Sequence, residues 1–273
     1  MGLLIIDENK CKKDGICASE CPMAIIKLKE GDGFPEMVPG GEGVCNHCGH
    51  CVAVCPHGAL SHAGVPIEKS PLIDKDLEIS EEQAVQFLRS RRSIRFFKKQ
   101  PLEKDKLRRL IEIARYAPTG GNREIVEWMV FTDEERIREI AAHTLEWMRK
   151  VMASAPQSVP PYFPRIIAAW DMGYNSVTWN APVLIVASAP KEAGTGMVDV
   201  ALALSYLDLA APKLGLGTCW AGLVEGALLG SAAVRASVGL PDGHPYHYPM
   251  MVGYPKRKYT RLPERKAPQI TWK

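Results

Sequence analysis

Cys45-Asn46-His47-Cys48-Gly49-His50-Cys51-Val52-Ala53-Val54-Cys55-Pro56 decides how this 273-residue chain is read. Three thiolates spaced three apart can wrap one compact iron–sulfur cube, while a fourth, four residues on and followed by proline, is carried away to a second. An upstream stretch repeats the pattern as Cys11, Cys17, Cys21 and Pro22, with Asp14 standing where the second cysteine of the run would be. Symmetry then pairs the ligands. One cluster is expected on Cys45, Cys48, Cys51 and Cys21, the other on Cys11, Cys17 and Cys55, with Asp14 as the candidate fourth ligand. A carboxylate is harder than a thiolate and holds iron less firmly. The second site is therefore expected either as an Asp-ligated 4Fe-4S cluster or as a 3Fe-4S cluster, with a potential different from its partner's. Asp14 before Gly15 also suits an ordinary turn.

Seven of the eight cysteines fall within the first 55 residues, and only Cys219 lies beyond them. That clustering points to metal and away from a chain-wide disulfide framework. Zinc would explain the Cys-x2-Cys pairs, but it does not call for a third cysteine in each run or for the two Cys-Pro ends. His47, His50 and His57 are expected to be exposed or to hydrogen-bond near the sulfurs, since thiolates already fill the sites. The runs match the spacing of bacterial two-cluster ferredoxins, and the segment around Asp14 resembles ferredoxins that carry Asp at this position. Leu3–Asp7 and Ile25–Leu28 read as short strands and Gly31–Gly33 as a turn. Residues 1–65 are thus expected to form a ferredoxin-type domain and 66–79, with Pro66 and Pro71, a linker.

Charge divides the chain in the same way. Residues 1–68 carry nine acids and five bases, a balance of −4, which leaves 22 acids against 29 bases, +7, for the rest of a chain whose total is +3. No basic start or cleavage-like site flanks the apolar run Leu3–Ile6, and no stretch approaches the roughly 18 apolar residues of a membrane span. A soluble, cytoplasmic protein is the expectation.

A second domain is expected over 80–273. Ser80 and Gln83 have the spacing of a capping box ahead of Ala84, Phe87 and Leu88. Arg91-Arg92-Ser93-Ile94-Arg95 follows, three guanidinium groups and a hydroxyl suited to phosphate, although a basic run alone also suits a solvated surface. Leu107, Leu110, Ile111 and Ala114 form a helical stripe ending in the small-residue loop Ala117-Pro118-Thr119-Gly120-Gly121-Asn122. Trp128–Phe131 and Val183–Ser188 read as strands. Ile137, Ile140, Ala141, Leu145 and Met148 make a helical stripe, and Asp199–Leu214 a helix apolar on most sides, hence buried. Pro156, Pro160, Pro161 and Pro164 mark a loop.

RRSIR at 91–95, APTGGN at 117–122, GLGTCWAG at 215–222 and VGYPKRKYTRLPERK at 252–266, in that order, resemble the FMN-dependent nitroreductase family over residues 80–273. The resemblance implies an α+β fold with a central, mostly antiparallel sheet flanked by helices, and FMN bound between two copies of an obligate homodimer. It implies that Arg91, Arg92, Ser93 and Arg95 hold the FMN phosphate and ribityl chain. Pro118, Thr119 and Asn122 would line the flavin. Ala221 and Gly222 would present backbone amides to its reactive edge. Arg265 and Lys266 would reach the phosphate, in competition with Lys256, Arg257, Lys258 and Arg261. The family's Gln-Pro after the loop Asn is absent; Asn122 is followed by Arg123, Glu124 and Ile125. Trp170, Tyr174 and Trp179 are either caps over the flavin or packing residues, and Cys219 is a packing residue.

The function implied is an iron–sulfur flavoprotein oxidoreductase that passes electrons between two clusters and FMN and reduces a nitroaromatic, quinone-like or other conjugated acceptor. The donor would be NAD(P)H or an external redox protein. Gly215-Leu216-Gly217 lacks the third glycine of a dinucleotide fingerprint, but family members bind nicotinamide directly over the flavin. The alternative is an electron-transfer protein linking a redox partner to FMN without a dedicated substrate. A nucleic-acid-binding role rests on the Arg run alone and has no recognition-helix signal.

Overall fold

A computed structural model describes residues 2–273. Two compact units divide the chain, one running to Glu78 and taking in Gly121–Arg123, the other made of Ile79–Gly120 and Glu124–Lys273.

In the first unit, β1 (Leu4–Ile6), α1 (Ile16–Ser19), β2 (Ile26–Leu28), β3 (Pro35–Met37), α2 (His50–Ala53) and β4 (Leu60–His62) succeed one another. β1 pairs antiparallel with β4, placing Leu4 opposite His62, and β2 pairs with β3, placing Leu28 opposite Pro35. Cys11, Asp14, Cys17 and Cys21 each stand 34 positions before Cys45, Cys48, Cys51 and Cys55, and the backbone obeys the same offset. Gly15 and Gly49, which start α1 and α2, both have φ 74°, and Lys13 and His47 have φ 57° and 53°. The left-handed glycines let each cysteine loop fold back on itself before its helix begins. Asp14 therefore occupies the position of Cys48, and Leu28 that of His62. Ile25, Ile26, Val52 and Leu60 fill the small core with Cys17 and Cys51.

Beyond β4 the chain makes two isolated 3-10 turns, Ile67–Lys69 and Lys75–Leu77, and leaves Leu72, Ile73 and Leu77 exposed.

The second unit contains α3 (Glu81–Ser90), α4 (Lys104–Ala114), β5 (Glu127–Phe131), α5 (Glu134–Ser154), α6 (Phe163–Asp171), β6 (Val183–Ala189), α7 (Gly196–Ala210), β7 (Gly217–Trp220), α8 (Gly222–Gly230), α9 (Ala232–Val238) and β8 (Tyr246–Gly253). Four strands form an antiparallel sheet in the order β5-β6-β8-β7, the α+β arrangement expected. All seven residues of β6 are buried because helices cover both faces of the sheet. Leu184 and Val186 point to the side packed by α5, α8 and α9; Val183, Ile185 and Ala187 point to the side packed by α4 and α7. This is the period-2 alternation of a strand sandwiched between two helical layers.

Three sequence readings change. The helix expected to run to Leu214 ends as α-helix at Ala210 and tightens into a 3-10 turn over Ala211–Leu214, since Pro212 has no N–H to continue the ladder. Nor is that helix buried all round in one chain: Met197, Val198 and Tyr206 are 40%, 57% and 40% exposed. Pro164, expected in a loop, sits in the first turn of α6, where its missing N–H costs nothing.

β8 is a strand that the sequence reading did not include, and it carries Pro249. The carbonyl of Pro249 accepts from the Ala221 amide, and in a strand a residue's N–H and C=O point to the same side. The missing N–H thus faces past the end of β7, not toward β6, and no ladder bond is lost.

At the start of α3 the Ser80 hydroxyl accepts from the Gln83 amide and the Gln83 side chain accepts from the Ser80 amide. No side chain of α3 is buried, so this cap carries an unusual share of the helix's stability. Ser80→Ala is expected to cost about 1 kcal/mol, read as faster amide exchange across 81–90 with β6 and β8 unchanged.

Candidate functional site

Two cavities flank the core of the first unit. One is lined by Cys21, Cys45, Cys48 and Cys51, with Pro22, His47 and His62 among its other walls. The other is lined by Cys11, Asp14, Cys17 and Cys55, with Lys12 and His57. The structure thus gathers the eight candidate ligands into two groups of four, each drawing its last cysteine from the other run. Burial pushes the Cys51 thiol up to about 11 and raises Cys17 as well, the latter helped by Cys55. Iron binding at either would have to displace the thiol proton.

Asp14 has both oxygens engaged. Oδ1 accepts from the Ile16 amide at 3.2 Å, an Asx turn, and Oδ2 lies 3.2 Å from His57 Nε2. Iron at Asp14 would share a carboxylate oxygen that already takes one of these contacts.

His62 was overlooked in the sequence, where His47, His50 and His57 drew attention by lying within or beside the cysteine run. Its Nδ1 accepts from the Gly64 amide at 3.0 Å and its Nε2 lies 3.6 Å from Cys45 Sγ. An imidazole that accepts at Nδ1 carries its proton on Nε2, so the ring is aimed to donate to sulfur. Burial, with His47 next to it, lowers the His62 pKa and keeps the ring neutral. The lone signal in the sequence was the 34-residue offset from Leu28.

In the second unit the Arg91–Arg95 segment lies alongside β7. Ser93 bridges Thr218 in parallel, and the Ile94 amide donates to the Thr218 carbonyl at 2.8 Å. Behind them Asp208, buried on α7, accepts from the Thr218 hydroxyl, from Trp220 Nε1 at 3.1 Å and from Arg91 Nη1 at 3.5 Å. Asp208 and a second inward-facing acid on α7, Asp199, were missed. Asp199 accepts from the Gly120 amide at 3.0 Å and from Thr195 at 3.2 Å, holding the Ala117–Gly120 end of the small-residue loop against α7. Two lone acids in an otherwise apolar helix were the available clue.

The remaining predicted residues separate. Arg95 is exposed, whereas Arg92 turns back to the carbonyls of Arg89 and Arg91 at 3.0 and 2.7 Å and closes the end of α3. Thr119 Oγ1 accepts from the Glu124 amide at 3.0 Å, and Pro118 is exposed. Asn122 falls in the first unit, where its side-chain amide donates to the Asn46 and His47 carbonyls at 3.2 Å. Ala221's amide is taken by Pro249, while Gly222 is exposed at the start of α8, where no side chain caps the first turn. Arg265 and Lys266 lie in the exposed stretch after β8, beside Glu264, which pairs with Arg89 at 3.3 Å. Lys256 is in register with Phe96, and Arg257 stacks 4.8 Å over its ring. Trp170 and Trp179 pack against the core; Tyr174 is exposed. Cys219 is buried, and that burial raises its pKa, leaving an inert thiol.

Two family patterns match the chain. The pattern described as the nitroreductase family matches residues 88–254, and that described as a 4Fe-4S dicluster domain matches residues 3–65. No curated protein matches the chain. Among solved structures, an FMN-bound nitroreductase from Bacteroides fragilis NCTC 9343 is 21% identical, over 71% of this chain and 99% of its own, with a TM-score of 0.57. One with bound FMN from Desulfitobacterium hafniense DCB-2 is 23% identical, over 71% and 99%, at 0.54. An iodotyrosine deiodinase bound to FMN and 3-iodo-L-tyrosine is 21% identical, over 69% and 99%, at 0.51. These neighbours share the fold of the second unit. The chain belongs to the nitroreductase family and carries a 4Fe-4S dicluster domain ahead of the family's fold.

Proposed function

We propose that the protein is an iron–sulfur flavoprotein oxidoreductase, with two clusters in the cysteine-lined cavities and FMN against the Arg91–Arg95 segment, that reduces a conjugated acceptor such as a nitroaromatic or quinone. The observation that carries this reading is the gathering of Cys21, Cys45, Cys48 and Cys51 around one cavity and of Cys11, Cys17 and Cys55 with Asp14 around another, in a chain whose larger unit has the nitroreductase fold. FMN, when bound, supplies the exchange between one-electron and two-electron chemistry.

This chain's residues do the rest. Arg91, Ser93 and Arg95 hold the phosphate and ribityl chain, and Asp208 keeps Arg91 turned toward them. Thr119 and Pro118 stand along the ring, on a loop that Asp199 pins at Gly120. The Gly222 amide, open at the head of α8, donates to the ring edge. A second copy of the chain covers the exposed Met197, Val198 and Tyr206 face of α7, completing a homodimer. Electrons enter from NAD(P)H or a redox protein.

Anaerobic purification with iron, sulfide and flavin assays, followed by EPR and steady-state turnover, tests the reading. About eight irons and one FMN per chain support two 4Fe-4S clusters, and about seven irons with an oxidised 3Fe-4S signal removes Asp14 from the ligands. Turnover of a nitro compound or quinone supports the reductase. Full cofactors without turnover of any acceptor favour the electron-transfer protein, and zinc or absent FMN overturns the reading.

A further inference from the structure

The two cavities are related by the 34-residue offset, yet they differ in a second respect besides Asp14 for Cys48. At the end of β2 stands Leu28; at the matching end of β4 stands His62, buried, with a nitrogen 3.6 Å from Cys45 Sγ. We propose that His62 is a positioning residue for the cluster of Cys21, Cys45, Cys48 and Cys51, donating an Nε2–H hydrogen bond to the Cys45 thiolate and raising that cluster's reduction potential, with no counterpart at the other site.

Three observations fix the donor. The Gly64 amide donates to Nδ1 and so sets the tautomer. Pairing of β1 with β4 opposite Leu4 sets the side of the strand from which the ring projects. The His47 ring stands edge-on at 5.1 Å and closes the space on which a tilt of His62 would depend. Gly64 is part of the same arrangement, because a Cβ there would stand 2.7 Å from His47 Nδ1.

A thiolate that accepts a hydrogen bond gives less charge to its cluster, and the more electron-rich reduced state gains most from the bond. In the other cavity the Ala59 amide lies 3.4 Å from Cys55 Sγ. That donor belongs to the backbone; His62 is a side chain that can be removed. The consequence is a Cys45 cluster whose potential lies above the value it would have with leucine at 62, the residue at the matching position of the other site.

The inference rests on the presence of clusters, so the test separates the two. Iron and sulfide assays on the anaerobic full-length protein establish the clusters first. An EPR-monitored redox titration then compares wild type with His62→Leu and His62→Gln. The expected result is a lower midpoint potential for one cluster in His62→Leu, an unchanged potential for the other, and partial recovery in His62→Gln, whose amide can still donate. Unchanged potentials in a fully loaded His62→Leu protein, or an equal shift of both clusters, overturn the proposal while leaving the cluster reading intact.

If His62→Leu fails to assemble, pulsed EPR of wild-type protein labelled with 15N-histidine decides. Coupling of one reduced cluster to an imidazole nitrogen, weakened in His62→Gln, supports the bond, and its absence overturns it. Cys45, His47 and His62 present ligand atoms within 4.8 Å of one another; a single zinc ion found there would overturn both the cluster and the hydrogen bond.

Discussion

Stripping iron from the protein with a chelator under reducing conditions is expected to unfold the first unit and leave the second folded. The buried apolar residues of the first unit are Ile25, Ile26, Val52 and Leu60, with Cys17 and Cys51. Its strands are three residues long and its helices four, and a unit this small buries too little apolar surface to fold on its core alone, so metal–thiolate bonding would supply folding free energy directly, as in small metal-dependent domains. Hydrogen exchange reads the outcome: amides of β1, β2 and β4 lose protection on chelation while those of β6 and β8 keep it. A first unit that stays protected without iron would show that its apolar core suffices.

Asp208→Ala is expected to give the largest loss of stability of any single change near the Arg91–Arg95 segment. It leaves the buried Thr218 hydroxyl and the Trp220 indole N–H without their acceptor and Arg91 without its counter-ion. Unsatisfied buried donors cost about 1–3 kcal/mol each, and an orphaned partner of a buried ion pair about 3–5 kcal/mol. Arg91 keeps part of its surface in water, which lowers its share, so the total is about 3 kcal/mol. For a domain of this size that is a fall in melting temperature of about 6–12 °C. Thr218→Val, which removes one donor along with its need for an acceptor, is expected to cost less than half as much. Flavin retention separates the roles: Asp208→Ala releases FMN on dilution because Arg91 is no longer held, and Thr218→Val keeps it. Calorimetry and flavin fluorescence in the filtrate check both outcomes.

The cysteine spacing made the first unit legible because ligand geometry constrains sequence more tightly than packing does. Two runs with Cys-Pro ends leave few ways to fold around clusters. The capping box at Ser80, the stripe on α5 and the core strand β6 were also readable, since each expresses a local rule. β8 was not read from the sequence, and that its Pro249 is harmless depends on where a neighbouring strand stops, a tertiary fact. Asp208, Asp199 and His62 were hidden for a related reason. Each acts on residues that are remote in sequence or related only by the internal repeat, and none stands in a motif. Asn122 shows the converse. Its loop is recognisable as a family feature, yet the segment Gly121–Arg123 folds with the first unit, which local sequence could not announce.

The crossing of the last cysteine of each run into the other's cavity has a consequence for biosynthesis. Cys11, Asp14 and Cys17 leave the ribosome first, but their cavity lacks a wall until Cys55 has emerged, and the cavity around Cys21 waits for Cys45 through Cys51. β1 likewise has no partner strand until Leu60–His62 is made. Neither ligand set is complete before residue 51, and the two are completed only four residues apart, at Cys51 and Cys55. A stall in translation before β4 is made would therefore expose unshielded thiols to oxidation, whereas its completion adds the last wall of each cavity.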